Sequence, residues 1–276
     1  MTNYFSEKRG LRKGYGLPEL RVMTRDLYKE LCESGALIEW LGDYCVDEGH
    51  MPGKAGNEPG RDIVLDVGRT DIWPPDPVDN QWSEDGIFDF LQFIGSKVSS
   101  PVAGSGRYHE FNNCGWHNQV FQPEPARTEF VSRANRILGR YNNGWEMKPN
   151  FEIIERAPVG LDDLLRVNLP KTVDKDVLGR VLAAVDKYRR RTSTRDDRRD
   201  AVRDLGDVLE FLRDSAKKHL GKDEADLFNI LNNFNIRHNN PNQKKGYDPI
   251  WLAGLFYHYL AMIHVLAHLT ERDSRA

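Results

Sequence analysis

The chain has 276 residues and a formal net charge of −3 at pH 7, which leaves room for one large domain or two medium ones. Charged residues make up 29% of it and hydrophobic residues 39%, a composition typical of soluble proteins with a real hydrophobic core. Because the net charge is close to zero, it gives no argument that the molecule as a whole attracts nucleic acid. Any positively charged surface for nucleic acid must therefore be local.

The first half of the chain shows a mixed, irregular pattern. Helices are predicted at Leu17–Glu33, Ile87–Val98 and Ala126–Tyr141. The region Gly42–Asp85 is rich in Gly, Pro and Asp, and its proline density predicts that it contains no helix.

Short strands are also predicted in this half. Arg107–Phe111 and Asn118–Phe121 are expected to pair, and Trp145–Ile154 is expected to form a hairpin that turns at Pro149-Asn150. Together with the helices, these strands predict an α+β domain over residues 1–158.

The second half of the chain reads as helix throughout. Apolar residues repeat at helical spacing in four segments. They are Val177, Leu178, Val181, Leu182, Val185 and Tyr188; Val202, Leu205, Val208, Leu209 and Leu212; Leu227, Ile230, Leu231 and Phe234; and Leu252, Leu255, Phe256, Tyr259, Ile263 and Leu266. Gly221 is placed to end a helix and Asp223 to cap the next. An all-α helical bundle is predicted over residues 159–276, and a mainly α chain overall.

The last predicted helix begins at Asp248-Pro249, a cap residue followed by proline at the first helical position. From Ile250 to Leu269 there is no Asp, Glu, Lys or Arg, which is long enough to span a bilayer. The run contains three histidines, however, so a buried bundle helix is favoured over a membrane span.

The three cysteines are few and show no paired spacing, which favours a reducing compartment over a disulfide scaffold. The N-terminal stretch has no apolar segment of the kind found in a signal peptide. A cytoplasmic location is therefore expected.

An adjacent Arg237 and His238 end the third helical segment, in the stretch NNFNIRHNNPNQ. His238 continues the apolar face of Leu227 and Phe234, and both polar residues lie where backbone carbonyls favour a cation. One interpretation is that they cap the helix by bonding to those carbonyls. The other is that they face a cleft, a partner subunit or an anion, because a charged Arg is rarely buried without a partner.

This segment resembles the HEPN superfamily, whose four-helix bundles carry an Arg, then a polar residue, then a His five to seven positions after the Arg. The motif lies between the last two long helices of the bundle. Arg237 matches the Arg and His238 the polar position, but the closing His is missing. Gln243 is the nearest stand-in, and an amide does not transfer protons at neutral pH as imidazole does.

The whole chain is also similar to the AbiJ-type abortive infection proteins, which place a variable, sensing N-terminal domain ahead of a HEPN domain. The resemblance rests on the YFSEKRG opening, the RYHEF strand, the helix-then-hairpin order that follows and the FNIRHNNPNQ segment. It implies a role in phage defence with an unidentified phage-derived trigger.

The resemblance implies a metal-independent endoribonuclease that works as a homodimer, with both Arg-His motifs lining one cleft. Arg237 would hold the scissile phosphate, because guanidinium grips phosphate and stays charged. His238 would act as base in one subunit and as acid in the other. The missing His leaves an alternative, in which the bundle is a catalytically inactive binding or dimerisation module.

Further candidates for RNA contact lie near this motif and in an arginine-rich run. The run RRRTSTRDDRR either tracks an RNA backbone or forms Arg–Asp pairs in a solvated helix connection. The candidate RNA-binding residues are Arg189, Arg190, Arg191, Asn233, Asn239 and Lys244.

The sequence contains two groups of potential metal ligands, but their spacing predicts neither a bound metal nor a cofactor. His264 and His268 lie four apart on one helix face without a zinc-protease Glu. His109, Cys114 and His117 lie close together, with Cys32 or Cys45 as a conceivable fourth ligand. Only Cys114 and His117 have the close spacing of zinc ligands, so packing around a strand pair is the favoured interpretation.

Overall fold

A computed structural model describes residues 14–142, 144–157, 161–166, 168–233 and 248–275. The chain is mainly helical, with 58% helix and 11% strand, and its strands lie in the N-terminal half. It divides into two compact units, Met1–Ile154 and Glu155–Ala276, so the first unit ends slightly before the predicted boundary at residue 158. Each unit has its own hydrophobic core.

The described residues of unit 1 form five α-helices. They are α1 (Leu17–Glu33), α2 (Ile38–Leu41), α3 (Pro59–Val67), α4 (Glu84–Lys97) and α5 (Ala126–Leu138). Helix α4, which has eight buried residues, supplies much of the core, and Ser83 caps its N-terminus by accepting a hydrogen bond from the Gly86 amide at 3.1 Å. The prediction for α1 is confirmed, and α5 ends three residues earlier than predicted because Gly139 follows it.

The helix α3 contradicts the prediction that Gly42–Asp85 contains no helix. Pro59 occupies its first turn, where a missing N–H costs nothing, and no proline follows inside the helix. Gly68, in the left-handed conformation at φ 76°, ends it. The prolines therefore mark the borders of this helix rather than preventing it.

The described strands, which lie in unit 1 apart from the last residue, Glu155, form four separate two-stranded sheets. The pairs are β1 (Gly42–Cys45) with β2 (Gly49–Pro52), β3 (Ser100–Pro101) with β6 (Phe121–Gln122), β4 (Arg107–His109) with β5 (Gly115–His117), and β7 (Trp145–Met147) with β8 (Ile153–Glu155). The last pair confirms the predicted hairpin. The predicted pairing of Arg107–Phe111 with Asn118–Phe121 is wrong, because a tight turn returns the chain at Gly115.

The described residues of unit 2 are mainly helical. Its helices are α6 (Asp162–Leu165), α7 (Lys175–Arg189), α8 (Arg195–Phe211), α9 (Arg213–Leu220), α10 (Glu224–Asn233) and α11 (Pro249–Arg275), with a 3-10 turn at Gly221–Asp223. The predicted second helix is interrupted at Leu212, and α9 begins at the next residue, Arg213. Asp248 caps α11 as predicted, accepting a hydrogen bond from the Ile250 amide at 2.8 Å.

The core of unit 2 is built mainly by α7, α8 and α11. All six predicted core residues of α11 are buried, whereas Leu182 on α7, predicted to be inside, is exposed. Among the described helices, α11 is the one that is long and apolar enough to cross a membrane. In its most apolar stretch 44% of the residues are buried within the protein, and a core helix of a soluble bundle has the same properties.

Candidate functional sites

The predicted catalytic residues Arg237, His238 and Gln243 lie outside the described residues, as do Asn239 and Lys244. The described helices bracket them: α10 ends at Asn233 and α11 begins at Pro249. Asn233 is the last residue of α10, and its side chain also lies outside the description.

The arginine-rich run is tied to neighbouring acidic and carbonyl groups of unit 2. Arg189 donates through Nε to the Glu155 carbonyl oxygen at 2.9 Å. Arg190 pairs with Asp186 at 3.0 Å, and Arg198 pairs with the Glu155 carboxylate at 2.7 Å. The Arg190–Asp186 pair is of the kind expected in a solvated helix connection, and the contact of this run with an RNA backbone stays a prediction.

His264 and His268 lie on one face of α11 with ring centroids 6.4 Å apart. The Nε2 of His264 lies 3.3 Å from the Leu164 carbonyl oxygen and so donates to α6. Burial lowers the pKa of His264, which favours this neutral form. His264 therefore has a packing role in unit 2, whereas His268 is exposed.

Four potential metal ligands meet in unit 1. Cys45, His109, Cys114 and His117 each offer one ligand atom, and all four atoms lie within 4.8 Å of one another. The favoured sequence interpretation, in which Tyr108, His109, Phe111 and Trp116 pack around a strand pair, misses this convergence. Cys32, the other conceivable partner, is exposed on α1 outside the group.

Two hairpins bring these ligands together. Cys45 ends β1, and its partner in the register is Gly49 of β2. In the second hairpin His109 ends β4 and His117 ends β5, while Cys114 lies in the turn between them. That turn contains Asn112 and Asn113 at φ 53° and 56°, a left-handed conformation that asparagine tolerates.

A close backbone approach fixes the second hairpin. A Cβ atom at Gly106 would lie 1.9 Å from the His117 carbonyl oxygen, so only glycine fits beside β5. Gly106 therefore holds the strand that carries His117 against the start of β4.

The sulfur and nitrogen atoms of the four ligands lie within hydrogen-bonding distance of each other in two pairs. Cys45 Sγ is 3.6 Å from His109 Nδ1, and Cys114 Sγ is 3.2 Å from His117 Nε2. Cys45 is fully buried and the two imidazole rings are largely buried. We name these four residues the Cys2His2 cluster.

Acidic and amide groups surround the cluster. Asp43 Oδ2 lies 2.8 Å from His117 Nδ1, and Asp47 Oδ2 lies 3.0 Å from His109 Nε2. The Val46 amide donates a hydrogen bond to Cys114 Sγ at 3.5 Å. Each imidazole therefore presents one nitrogen to the cluster and the other to a carboxylate.

The opposite face of the second hairpin is aromatic and exposed. Tyr108 and Trp116 are register partners, and their ring centroids are 5.4 Å apart. About half of each side chain is exposed. The alternation of a strand thus separates the histidines from these two aromatic rings.

Comparison with models of known families, with curated proteins and with solved structures finds no match to the chain.

Proposed function

We propose that unit 2 is a HEPN-like bundle that cleaves RNA in a homodimer, without a metal ion at the reacting phosphate. The observation that carries this proposal is the position of Arg237 and His238 in the sequence, between α10 and α11, the last two described helices of a mainly helical unit. The resemblance to AbiJ-type proteins supports phage defence by abortive infection as the biological role.

The proposed chemistry uses the RNA's own 2′-hydroxyl as nucleophile. One His238 removes its proton, and the hydroxyl oxygen attacks the adjacent phosphorus. The His238 of the other subunit gives a proton to the leaving 5′-oxygen, so the products carry a 2′,3′-cyclic phosphate and a free 5′-hydroxyl. Arg237 stabilises the extra negative charge on the pentacovalent phosphate.

Incubation of the purified full chain with total RNA tests this proposal in a buffer without added divalent cations. We expect cleavage with cyclic phosphate ends, lost in both Arg237→Ala and His238→Ala. Arg180→Ala on α7 and His50→Ala on β2 are matched controls on exposed positions and should cleave normally. Equal cleavage by wild type and by both motif variants would disprove the assignment.

The alternative is a catalytically inactive module that pairs with a second copy. This alternative is favoured by an exposed stripe on α11 that contains no Asp, Glu, Lys or Arg. Its residues recur at alternating intervals of three and four, the spacing at which two helices pack against each other. The stripe consists of Trp251, Gly254, His258, Ala261, Val265 and His268, of which Ala261 is partly buried. The missing closing His of the motif also favours this alternative.

Mass in solution separates the alternatives when combined with the RNA assay. We expect a dimer for the wild type and a monomer for Ala261→Glu with Val265→Glu. Phe211→Glu replaces an even more exposed apolar residue on α8 and should leave the dimer intact. A dimer that never cleaves RNA would support the module, and a wild-type monomer would contradict both forms of the proposal.

A further inference from the structure

We propose that the Cys2His2 cluster binds one Zn²⁺ ion and that this ion joins the β1–β2 hairpin to the β4–β5 hairpin of unit 1. The site is separate from the RNA-cleaving function proposed for unit 2. It would give unit 1 a metal-dependent fold rather than a metal-dependent reaction.

The donor set matches zinc. Two thiolates and two imidazoles in a tetrahedral arrangement are typical of structural Zn²⁺. Zn–S and Zn–N bonds of about 2.3 and 2.05 Å place neighbouring S and N ligands roughly 3.6 Å apart in a tetrahedron. The Cys45–His109 and Cys114–His117 atom pairs lie at 3.6 and 3.2 Å, so little movement is needed to close the site.

The surrounding carboxylates fix which nitrogen of each ring faces the metal. A zinc-binding His usually donates its other N–H to a carboxylate or carbonyl, which orients the ring and raises its basicity. Asp43 bonds to Nδ1 of His117 and leaves Nε2 for the metal. Asp47 bonds to Nε2 of His109 and leaves Nδ1 for the metal. The two carboxylates thus leave a different nitrogen free for the metal in each ring, Nε2 in His117 and Nδ1 in His109. In both rings this free nitrogen is the one that faces a cysteine sulfur.

The local backbone also favours thiolates. The Val46 N–H points at Cys114 Sγ, and an amide donor stabilises the negative charge of a coordinating sulfur. Two thiolates neutralise the charge of one Zn²⁺ ion, so the buried site carries no uncompensated charge. Binding releases the thiol protons to solvent.

The packing of unit 1 shows why a metal is useful here. Its hydrophobic core contains no buried residue between Val98 and Ala126, although that whole stretch is described. A two-stranded hairpin of three or four residues per strand is marginally stable by itself. The Cys2His2 cluster is therefore the main inward-facing group of the second hairpin, and a metal supplies the stability that an apolar core supplies elsewhere.

Four protein ligands leave no open coordination position. Catalytic zinc keeps one position for water or substrate, whereas a closed set of four ligands is typical of structural sites. Zinc at this cluster is thus expected to hold the fold.

Metal analysis of the full-length chain tests the proposal. Protein produced with zinc in the medium should contain about one zinc ion per chain, and the double variant Cys45→Ser with Cys114→Ser should contain almost none. Cys32→Ser and His50→Gln are the matched controls and should keep the wild-type zinc content. Wild-type protein without zinc, or a double variant that retains it, would overturn the proposal.

A second measurement avoids variants that fail to fold. Asp43→Asn and Asp47→Asn keep all four ligands, and each should weaken zinc affinity about 10- to 100-fold in competition with a chelator. Chain stripped of metal should take up Co²⁺ and gain the visible absorption of a tetrahedral thiolate complex. Unchanged affinity in both Asp variants, together with no Co²⁺ spectrum, would rule out this site whatever the RNA assay shows.

Discussion

At the scale of single residues, two helical glycines show that the surroundings of a glycine decide how its replacement by alanine changes stability. A Cβ atom on Gly95 of α4 would lie 2.6 Å from both Phe130 and Phe151, inside the core of unit 1. A Cβ atom on Gly179 of α7 would meet no atom within 4 Å. Gly95 is therefore required for close packing, whereas Gly179 only weakens its helix.

We predict opposite effects of alanine at these two positions. Gly95→Ala should destabilise unit 1 by about 1–3 kcal/mol, because two aromatic rings must move. Gly179→Ala should stabilise unit 2 by about 0.5–1 kcal/mol, because alanine loses less backbone entropy in a helix. Urea unfolding of the full chain measures both, and equal signs for the two variants would contradict the packing described here.

At the scale of elements, α11 is held by polar contacts as well as by its apolar face. His264 donates to the Leu164 carbonyl oxygen at the end of α6. Thr270 shares a hydrogen bond of 2.6 Å with Ser215 of α9, and Asp273 pairs with His219 at 3.1 Å. These contacts fix the C-terminal half of α11 against two short helices.

The burial of His264 predicts a pH dependence for unit 2. Burial, together with the neighbouring His268, lowers the pKa of His264, so the unfolded chain takes up a proton at a higher pH than the folded chain. The stability from the neutral ring is complete above about pH 6.5, the ordinary His value, and is lost as the pH falls toward the lower folded value. Thermal unfolding followed by circular dichroism should show a lower midpoint at pH 5.5 than at pH 7.5.

His264→Gln should reduce this difference between the two pH values, because the amide does not titrate. His50→Gln replaces an exposed imidazole of unit 1 and should leave the difference unchanged. An identical pH dependence in wild type and His264→Gln would show that another group is responsible.

At the scale of the whole molecule, the chain consists of two units with separate hydrophobic cores. Five of the six tryptophans belong to unit 1, and Trp251 belongs to unit 2. Tryptophan fluorescence therefore reports mainly on unit 1. The long helices α7, α8 and α11 make the helical circular dichroism signal strongly dependent on unit 2.

We predict that these two signals respond differently to zinc removal. A chelator should lower the unfolding midpoint seen by fluorescence, because unit 1 loses its proposed metal. The main helical transition, from unit 2, should stay within error of its original midpoint. A single transition shared by both probes and shifted as a whole would show that the units unfold together.

The sequence by itself determined the helices that have a regular apolar period. The spacing of Leu252, Phe256, Tyr259 and Ile263 predicts both a helix and its buried face, and α11 confirms both. Local chemistry is equally sufficient at Asp248-Pro249, since capping depends only on neighbouring residues. Such signals are local along the chain and are therefore visible in the sequence.

Only the tertiary structure decided how distant segments meet. Cys45 lies far from His109 in the sequence, and nothing near it distinguishes it from Cys32 as a ligand. Strand pairing brings Cys45 to the β4–β5 turn, and the register sets which side chains face inward. Because a metal site depends on the convergence of atoms in space, the Cys2His2 cluster appears only when both hairpins are folded.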